Sequence, residues 1–229
     1  MSQHLKIDFV SDVSCPWCVI GLKALDQALA NINADVKSDI TAEIHFRPFE
    51  LNPQMPPEGQ DITEHITQKY GISVAQANAN RENIRRRGAE LGFRFAMADE
   101  PGGGRSRAYN TFDAHRLLHW SETVSLDKQK ALKEALFTAY FTDGKSPASH
   151  EVLARVAGSV GLDAATAKDV LASNRYADEV REQEQFYTGQ GIHSVPAVII
   201  NNQHLISGGQ PIEVFENALR QIALANERT

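Results

Sequence analysis

Cysteine is nearly absent from this chain. There are two in 229 residues, and both fall in one tetrapeptide, Cys15-Pro16-Trp17-Cys18. A fold stapled by a disulfide framework is excluded. The 42% share of hydrophobic residues is enough for one large domain or two small ones to fold without staples. Positive charge is also short, with 23 Lys and Arg against 29 Asp and Glu. The resulting net charge of −6 gives no electrostatic case for nucleic acid or an anionic membrane surface as partner. No apolar run approaches the ~20 residues that span a bilayer. Met1 to Asp12 lacks the basic segment and apolar stretch of a secretory signal. The expected location is cytoplasmic, where a permanent structural disulfide is disfavoured, so the Cys pair reads as catalytic or metal-binding. Internal repeats and low-complexity segments are missing too.

What is present is organised around that tetrapeptide. Leu5, Ile7 and Phe9 alternate in a strand that runs into it. Pro16 suits the first turn of a helix, where its missing N–H costs nothing. Leu22, Leu25, Leu29 and Ile32 then form a helical stripe to about Asn33. Ile40, Ala42, Ile44 and Phe46 alternate with polar residues in a second strand, completing a βαβ unit if the strands are parallel. Residues 48–60, rich in proline, read as an exit loop. From about 61 to 188 the pattern is helical, with a capping box at Ser73 and Gln76, a cap at Asp163 and a stop at Gly161. Pro101 and Gly102-Gly103-Gly104 predict a mobile loop. Ala197 to Ile200 is a third strand, Asn201-Asn202 a turn, Gln203 to Ile206 a hairpin partner, and Pro211 opens a last helix.

A strand, Cys-x-x-Cys and a helix in succession form the sequence pattern of a dithiol redox site. Two thiols at that spacing can close a ring and reopen by exchange, one attacking and the other resolving. The chain resembles thioredoxin-fold proteins of the DsbA family, and most of all their cytoplasmic FrnE-like branch. The resemblance rests on Ser14-Cys15-Pro16-Trp17-Cys18, Phe46-Arg47-Pro48-Phe49-Glu50-Leu51-Asn52-Pro53 and Asn110-Thr111-Phe112-Asp113-Ala114-His115-Arg116-Leu117. It continues with Gly191-Ile192-His193-Ser194-Val195-Pro196 and Ile206-Ser207-Gly208-Gly209-Gln210-Pro211, so it spans nearly the whole chain in order. It implies an α/β thioredoxin fold (βαβ…ββα) with a large all-helical domain inserted between the second and third strands. The expected division is residues 1–55 with 190–229 as the thioredoxin-like domain and 60–188 as the insertion. Some FrnE-like members carry a second Cys pair near the C-terminus. This chain has no cysteine after Cys18, which excludes a two-site relay.

Cys15, at the helix N-terminus, is the expected nucleophile, since unpaired N–H groups and the helix dipole favour its thiolate. Cys18, one turn on, is the expected resolving thiol, and Pro16-Trp17 should tune the balance between them. On the residues alone, Val195-Pro196 reads as a trans proline opening a strand. The resemblance implies instead a cis bond beside the thiols, exposing the Val195 backbone to an extended substrate and keeping metal from bridging the cysteines. Gly209 and Gln210 read equally well as an anion-binding helix start or as a plain loop; glutathione contacts the corresponding segment in related proteins. Asp12 and Asp8 are candidate modulators of the thiols. His115 and His119 are four apart on a helix, but zinc would need about four ligands and is not expected. Arg85-Arg86-Arg87 reads as a solvated helix face, and Arg105 and Arg107 as candidate guides for an acidic substrate.

The expected activity is thiol–disulfide oxidoreduction on protein or small-molecule thiols. No cofactor is expected to be bound, and glutathione is the candidate co-substrate. The alternative is a glutathione-dependent isomerase or transferase, because the fold resembles 2-hydroxychromene-2-carboxylate isomerases and kappa-class glutathione transferases. Those enzymes carry serine where this chain has Cys15, which argues for redox. A pure binding module is the third and weakest reading.

Overall fold

The computed structural model describes residues 3–35, 39–96, 100 and 104–226. Of the expected glycine loop, Pro101, Gly102 and Gly103 lie outside the described residues. Strand β1 (Gln3–Ser11) leads through a four-residue turn into helix α1 (Pro16–Ala34), and β2 (Ile40–Pro48) follows. β1 and β2 run parallel in the register Ile7↔Ile44 and Phe9↔Phe46. The chain returns much later as β5 (Ala197–Ile200), antiparallel to β1 with Phe9↔Val198, and β6 (His204–Ser207), antiparallel to β5. The sheet order is β2-β1-β5-β6. Asn201 and Asn202 make the β5–β6 turn with φ of 52° and 55°, the left-handed region that asparagine tolerates best after glycine. Helix α9 (Ile212–Asn226) closes the fold by packing on α1.

β1 is central, so both its faces are buried. Leu5, Ile7 and Phe9 join Val19, Leu22 and Leu25 of α1 and Phe215 and Leu219 of α9 in the main core. Val10, on the opposite face, packs with Tyr187, Ile192 and Ala197. Alternation along one strand thus sets two layers at once.

The segment between β2 and β5 carries β3 (Gln60–Asp61), α2 (Ile62–Tyr70), α3 (Val74–Glu90), β4 (Arg107–Ala108), α4 (Phe112–Val124), α5 (Leu126–Phe141), α6 (His150–Ser159), α7 (Ala164–Ala172) and α8 (Ala177–Gly189). β3 and β4 form a two-residue antiparallel bridge, too short to leave any alternation in the sequence. The helix ends follow the predicted chemistry. Ser73 and Gln76 form a reciprocal capping box, and Asp163 accepts N–H groups from Ala165 and Thr166. α4 to α7 surround a cluster of their own centred on Leu117, Leu132, Leu153 and Val170. Phe137, Tyr140 and Phe141 of α5, with Phe93 and Phe95, instead join the core of the sheet. The insertion is therefore continuous with the layer beneath the Cys pair.

Candidate functional site

Cys15 is the N-cap of α1, with extended backbone (φ −90°, ψ 114°), and Pro16 occupies the first helical turn. The turn that delivers it is held by Asp12. The Asp12 carboxylate accepts the N–H of Ser14 at 3.0 Å and that of Leu51 at 2.7 Å, tying the end of β1 to the loop after β2. Both cysteines are reduced. Cys15 keeps 4% of its surface exposed and Cys18 none, so only Cys15 can meet a partner. Hydrogen bonding from the Cys18 thiol lowers the Cys15 pKa, helped by the backbone N–H groups of Cys18 and Trp17, against the opposing effect of burial. Burial pushes Cys18 well above the ordinary thiol range. The two chemically identical groups are thus separated by one helical turn into an accessible thiol of lowered pKa and a buried thiol of raised pKa.

Across from α1, the Val195–Pro196 peptide bond is cis. The Cys15 thiol donates to the Val195 carbonyl at 3.6 Å. Gly21 on α1 faces Pro196 so closely that a Cβ there would lie 3.0 Å from Pro196 Cγ. Gly209 is also a close-approach position, where a Cβ would lie 3.0 Å from the Trp17 carbonyl oxygen. Gln210 donates from its side chain to Ser207 O at 2.7 Å.

A cleft of about 1170 Å3 opens beside the thiol, between the end of α1 on one side and α2 and α3 on the other. Cys15, Pro16, Trp17 and Val195 line it; Cys18, Pro196, Gly209 and Gln210 are not among its lining residues. Of the two arginines expected as guides, Arg105 lines the cleft and donates to Ser14 O at 3.2 Å, next to Cys15. Arg107 is turned away and donates to the carbonyls of Glu58 and Gly59. Asp8 pairs with Arg47 at 2.9 Å, on the other face of β1 from the core that holds the thiols.

The arginine run departs from the expected solvated face. Arg86 pairs with Glu90 in solvent, but Arg87 lies 5.1 Å from the Trp17 ring and donates to Gly209 O at 2.9 Å. Three consecutive helical residues fan through about 200°, so one of them faces inward. His115 and His119 do not act together. His115 is buried with Nε2 3.7 Å from Asp12 Oδ1, whereas His119 packs on Tyr176. Burial raises the Asp12 pKa, yet His115 and the two backbone N–H groups outweigh it, leaving a buried carboxylate close behind the Cys pair.

Sequence reading missed Lys133. It lies on α5, fully buried, with Nζ 5.1 Å from the Phe137 ring and 6.0 Å from that of Phe46, and no hydrogen-bond partner among the described residues. Burial brings its pKa down to about 8, while Cys18, Asp12 and Cys15 hold it up. The available signal was a lysine on the apolar face of α5, four residues before Phe137 and beside Leu132.

The DSBA-like thioredoxin domain family matches residues 6–220. A probable DsbA oxidoreductase from Streptomyces coelicolor is 34% identical, with 97% of this chain and 91% of that one covered and a TM-score of 0.85. The Bacillus subtilis protein YwbO is 26% identical over 232 residues, 96% of each chain. A 2-hydroxychromene-2-carboxylate isomerase shares the fold at 14% identity and TM-score 0.65, over 97% of this chain and 98% of that one. With the family matched over nearly its full length, this chain belongs to the DSBA-like thioredoxin domain family.

Proposed function

We propose that the protein is a dithiol–disulfide oxidoreductase with Cys15 as nucleophile and Cys18 as resolving thiol. The observation that carries this is the division of the pair, with Cys15 at the helix N-terminus on the cleft and Cys18 buried one turn behind it. The Cys15 thiolate attacks one sulfur of a substrate disulfide. A Cys15–substrate disulfide forms as the substrate S–S bond breaks, and one substrate sulfur leaves as thiolate with the bonding electrons. Cys18 then loses its proton and attacks Cys15, and the second substrate thiol leaves. Two electrons pass from the protein dithiol to the substrate. In reverse, the Cys15–Cys18 disulfide oxidises a substrate dithiol. A thiol such as glutathione would restore the reduced pair.

Pro16 and Trp17 tune the couple by shaping the first turn of α1. The Val195 carbonyl and the cis Pro196 border the thiol and receive the substrate backbone. Gly209, without a side chain, lets that loop approach α1, and Gln210 braces the loop through Ser207 O. The paucity of cysteine fits a cytoplasmic setting.

Cys18→Ala should trap mixed disulfides on Cys15, visible by mass spectrometry and reversed by dithiothreitol. No adduct on a Cys15 that still alkylates would sink the proposal. The shared fold with the isomerase keeps one alternative open, and Cys15→Ser separates the two. A serine variant that retains full glutathione-dependent isomerisation would transfer the site to that chemistry.

A further inference from the structure

The wall of the cleft facing the thiol carries cations without acidic partners among the described residues. Lys69 of α2 donates to Leu51 O and Asn52 Oδ1, each at 2.7 Å. Arg81 of α3 donates to Asn78 Oδ1 at 3.1 Å and Thr63 Oγ1 at 3.3 Å. Arg105 donates to Ser14 O and stacks 5.0 Å from the Phe141 ring. None of the three forms an ion pair among the described residues. Neither acid that shares the lining forms an ion pair with these three among the described residues. Glu50 is taken by Arg181 and Asn110, and Asp61 accepts the N–H groups of Thr63 and Glu64 at the start of α2. The remaining lining arginine, Arg85, pairs with Glu82 and Glu100. The cations also act on one another: burial and then the charge of Arg105 lower the Arg81 pKa, opposed by the charge of Asp61, and that of His65 is lowered by burial, Lys69 and Arg105. In a chain of net charge −6, this is a local reversal of sign beside the nucleophile.

We propose that this cleft selects a low-molecular-weight disulfide or thiol bearing carboxylates, bound with its anionic end on Arg81, Arg105 and Lys69 and its sulfur at Cys15. The inference rests on the oxidoreductase reading and adds the substrate class. Arginine and lysine that already donate to neutral oxygens have donors to spare for a carboxylate. Ile62, Ile66 and Ile84 add apolar surface to the same lining. The cleft, at about 1170 Å3, exceeds the roughly 300–1,000 Å3 of most small-ligand sites and has room for such a molecule.

Two chromogenic disulfides test this: the dianion 5,5′-dithiobis(2-nitrobenzoate) and the neutral 2,2′-dithiodipyridine. In each, Cys15 displaces one aryl thiolate and Cys18 the other, its proton passing to solvent, so one protein dithiol is oxidised per probe reduced. The readout is the ratio of the two second-order rates, in which any change in thiol reactivity cancels. Arg81→Gln and Lys69→Gln should each lower the dianion-to-neutral ratio about five- to tenfold, the loss of one charge-assisted contact. Arg81→Lys should recover part of it. Arg94→Gln, outside the cleft, should leave it unchanged. An unchanged ratio in both glutamine variants overturns the selectivity while leaving the redox reading intact. No reaction of the unmodified protein with either probe overturns the redox reading, and the selectivity with it.

Discussion

The two walls of the cleft are built on opposite terms. α1 buries nine of its nineteen residues in the core of the sheet. α2 and α3, facing it, bury Ile62, Ala77 and Gly88. They are held by end caps, the β3–β4 bridge and polar contacts such as Lys69 on Leu51 O. The wall that positions a nucleophile needs its rotamers fixed by packing, because a sulfur displaced by an ångström loses its hydrogen bonds and its approach to the substrate. The wall that recognises a substrate can be less deeply anchored and close on what it binds. The Cys15 sulfur thus sits on the deeply buried wall, and Lys69 and Arg81 on the shallow one.

The sharpest way to break that division is at Cys15. Cys15→Ser should reduce dithiodipyridine exchange to the uncatalysed rate, since a serine hydroxyl at neutral pH supplies no comparable nucleophile. No single substitution on α2 or α3 should do so. An α2 or α3 variant that abolishes reaction with a neutral disulfide would show that chemistry, and not only recognition, resides on that wall.

Next in size is Lys133, which lies beneath the fixed wall. Its pKa of about 8 against the ordinary 10.5 means that the folded state disfavours the ammonium, by roughly 3 kcal/mol. The unfolded chain binds this proton more tightly, so the folded state is penalised fully below pH 8, and the penalty fades as pH rises towards 10.5. Lys133→Met should therefore stabilise the reduced protein at pH 7, and the gain should shrink above pH 8. The same charge favours thiolate at Cys18 and Cys15, so the variant should also show a higher Cys15 pKa and a reduction potential lower by some tens of mV. Denaturant titrations across pH and equilibration against glutathione check both. A stability gap that does not vary between pH 7 and pH 10 would show that Lys133 keeps its ordinary pKa in the folded protein.

Added volume offers a third comparison. Gly21→Val places a Cβ 3.0 Å from Pro196 Cγ before its methyl groups are counted and should cost about 1–3 kcal/mol. Ala79→Leu, exposed on α3 and an exchange between two good helix formers, should change stability by less than about 0.5 kcal/mol. Equal losses at the two sites would mean that both walls are packed alike.

The same contrast explains what could be read in the sequence. α1 and β1 were legible because burial writes periodicity: Leu22, Leu25 and Ile32 recur at helical spacing, and Leu5, Ile7 and Phe9 alternate. The Cys pair was legible because its spacing is local. Lys69, Arg81 and Arg105 were not legible as a group. They come from two helices and a loop, and their significance depends on which acids are already occupied, a property of the folded arrangement alone. Lys133 was hidden for the converse reason, since a single lysine in an apolar stripe ordinarily directs its charge to solvent. β3 and β4 were too short to leave a pattern.

A smaller loss than at Gly21 belongs to Arg87, which reaches from α3 to α1. Its guanidinium covers the Trp17 ring and donates to Gly209 O, so the weakly buried wall touches the fixed one at the Cys motif itself. At a partly exposed site such a cation–π contact contributes about 0.5–1 kcal/mol. Arg87→Ala should thus lower stability by about 1 kcal/mol and shift Trp17 emission, read in a Trp120→Phe background. Amide exchange carries the stronger test. If the walls are separately anchored, α3 should exchange faster in the variant while the buried amides of α1, held by Leu22, Leu25 and Ile32 in the core, keep their protection. Equal acceleration of α1 and α3 would mean that the two walls open as one unit, and that a substrate bound to Arg81 could transmit its presence to Cys15 through Trp17.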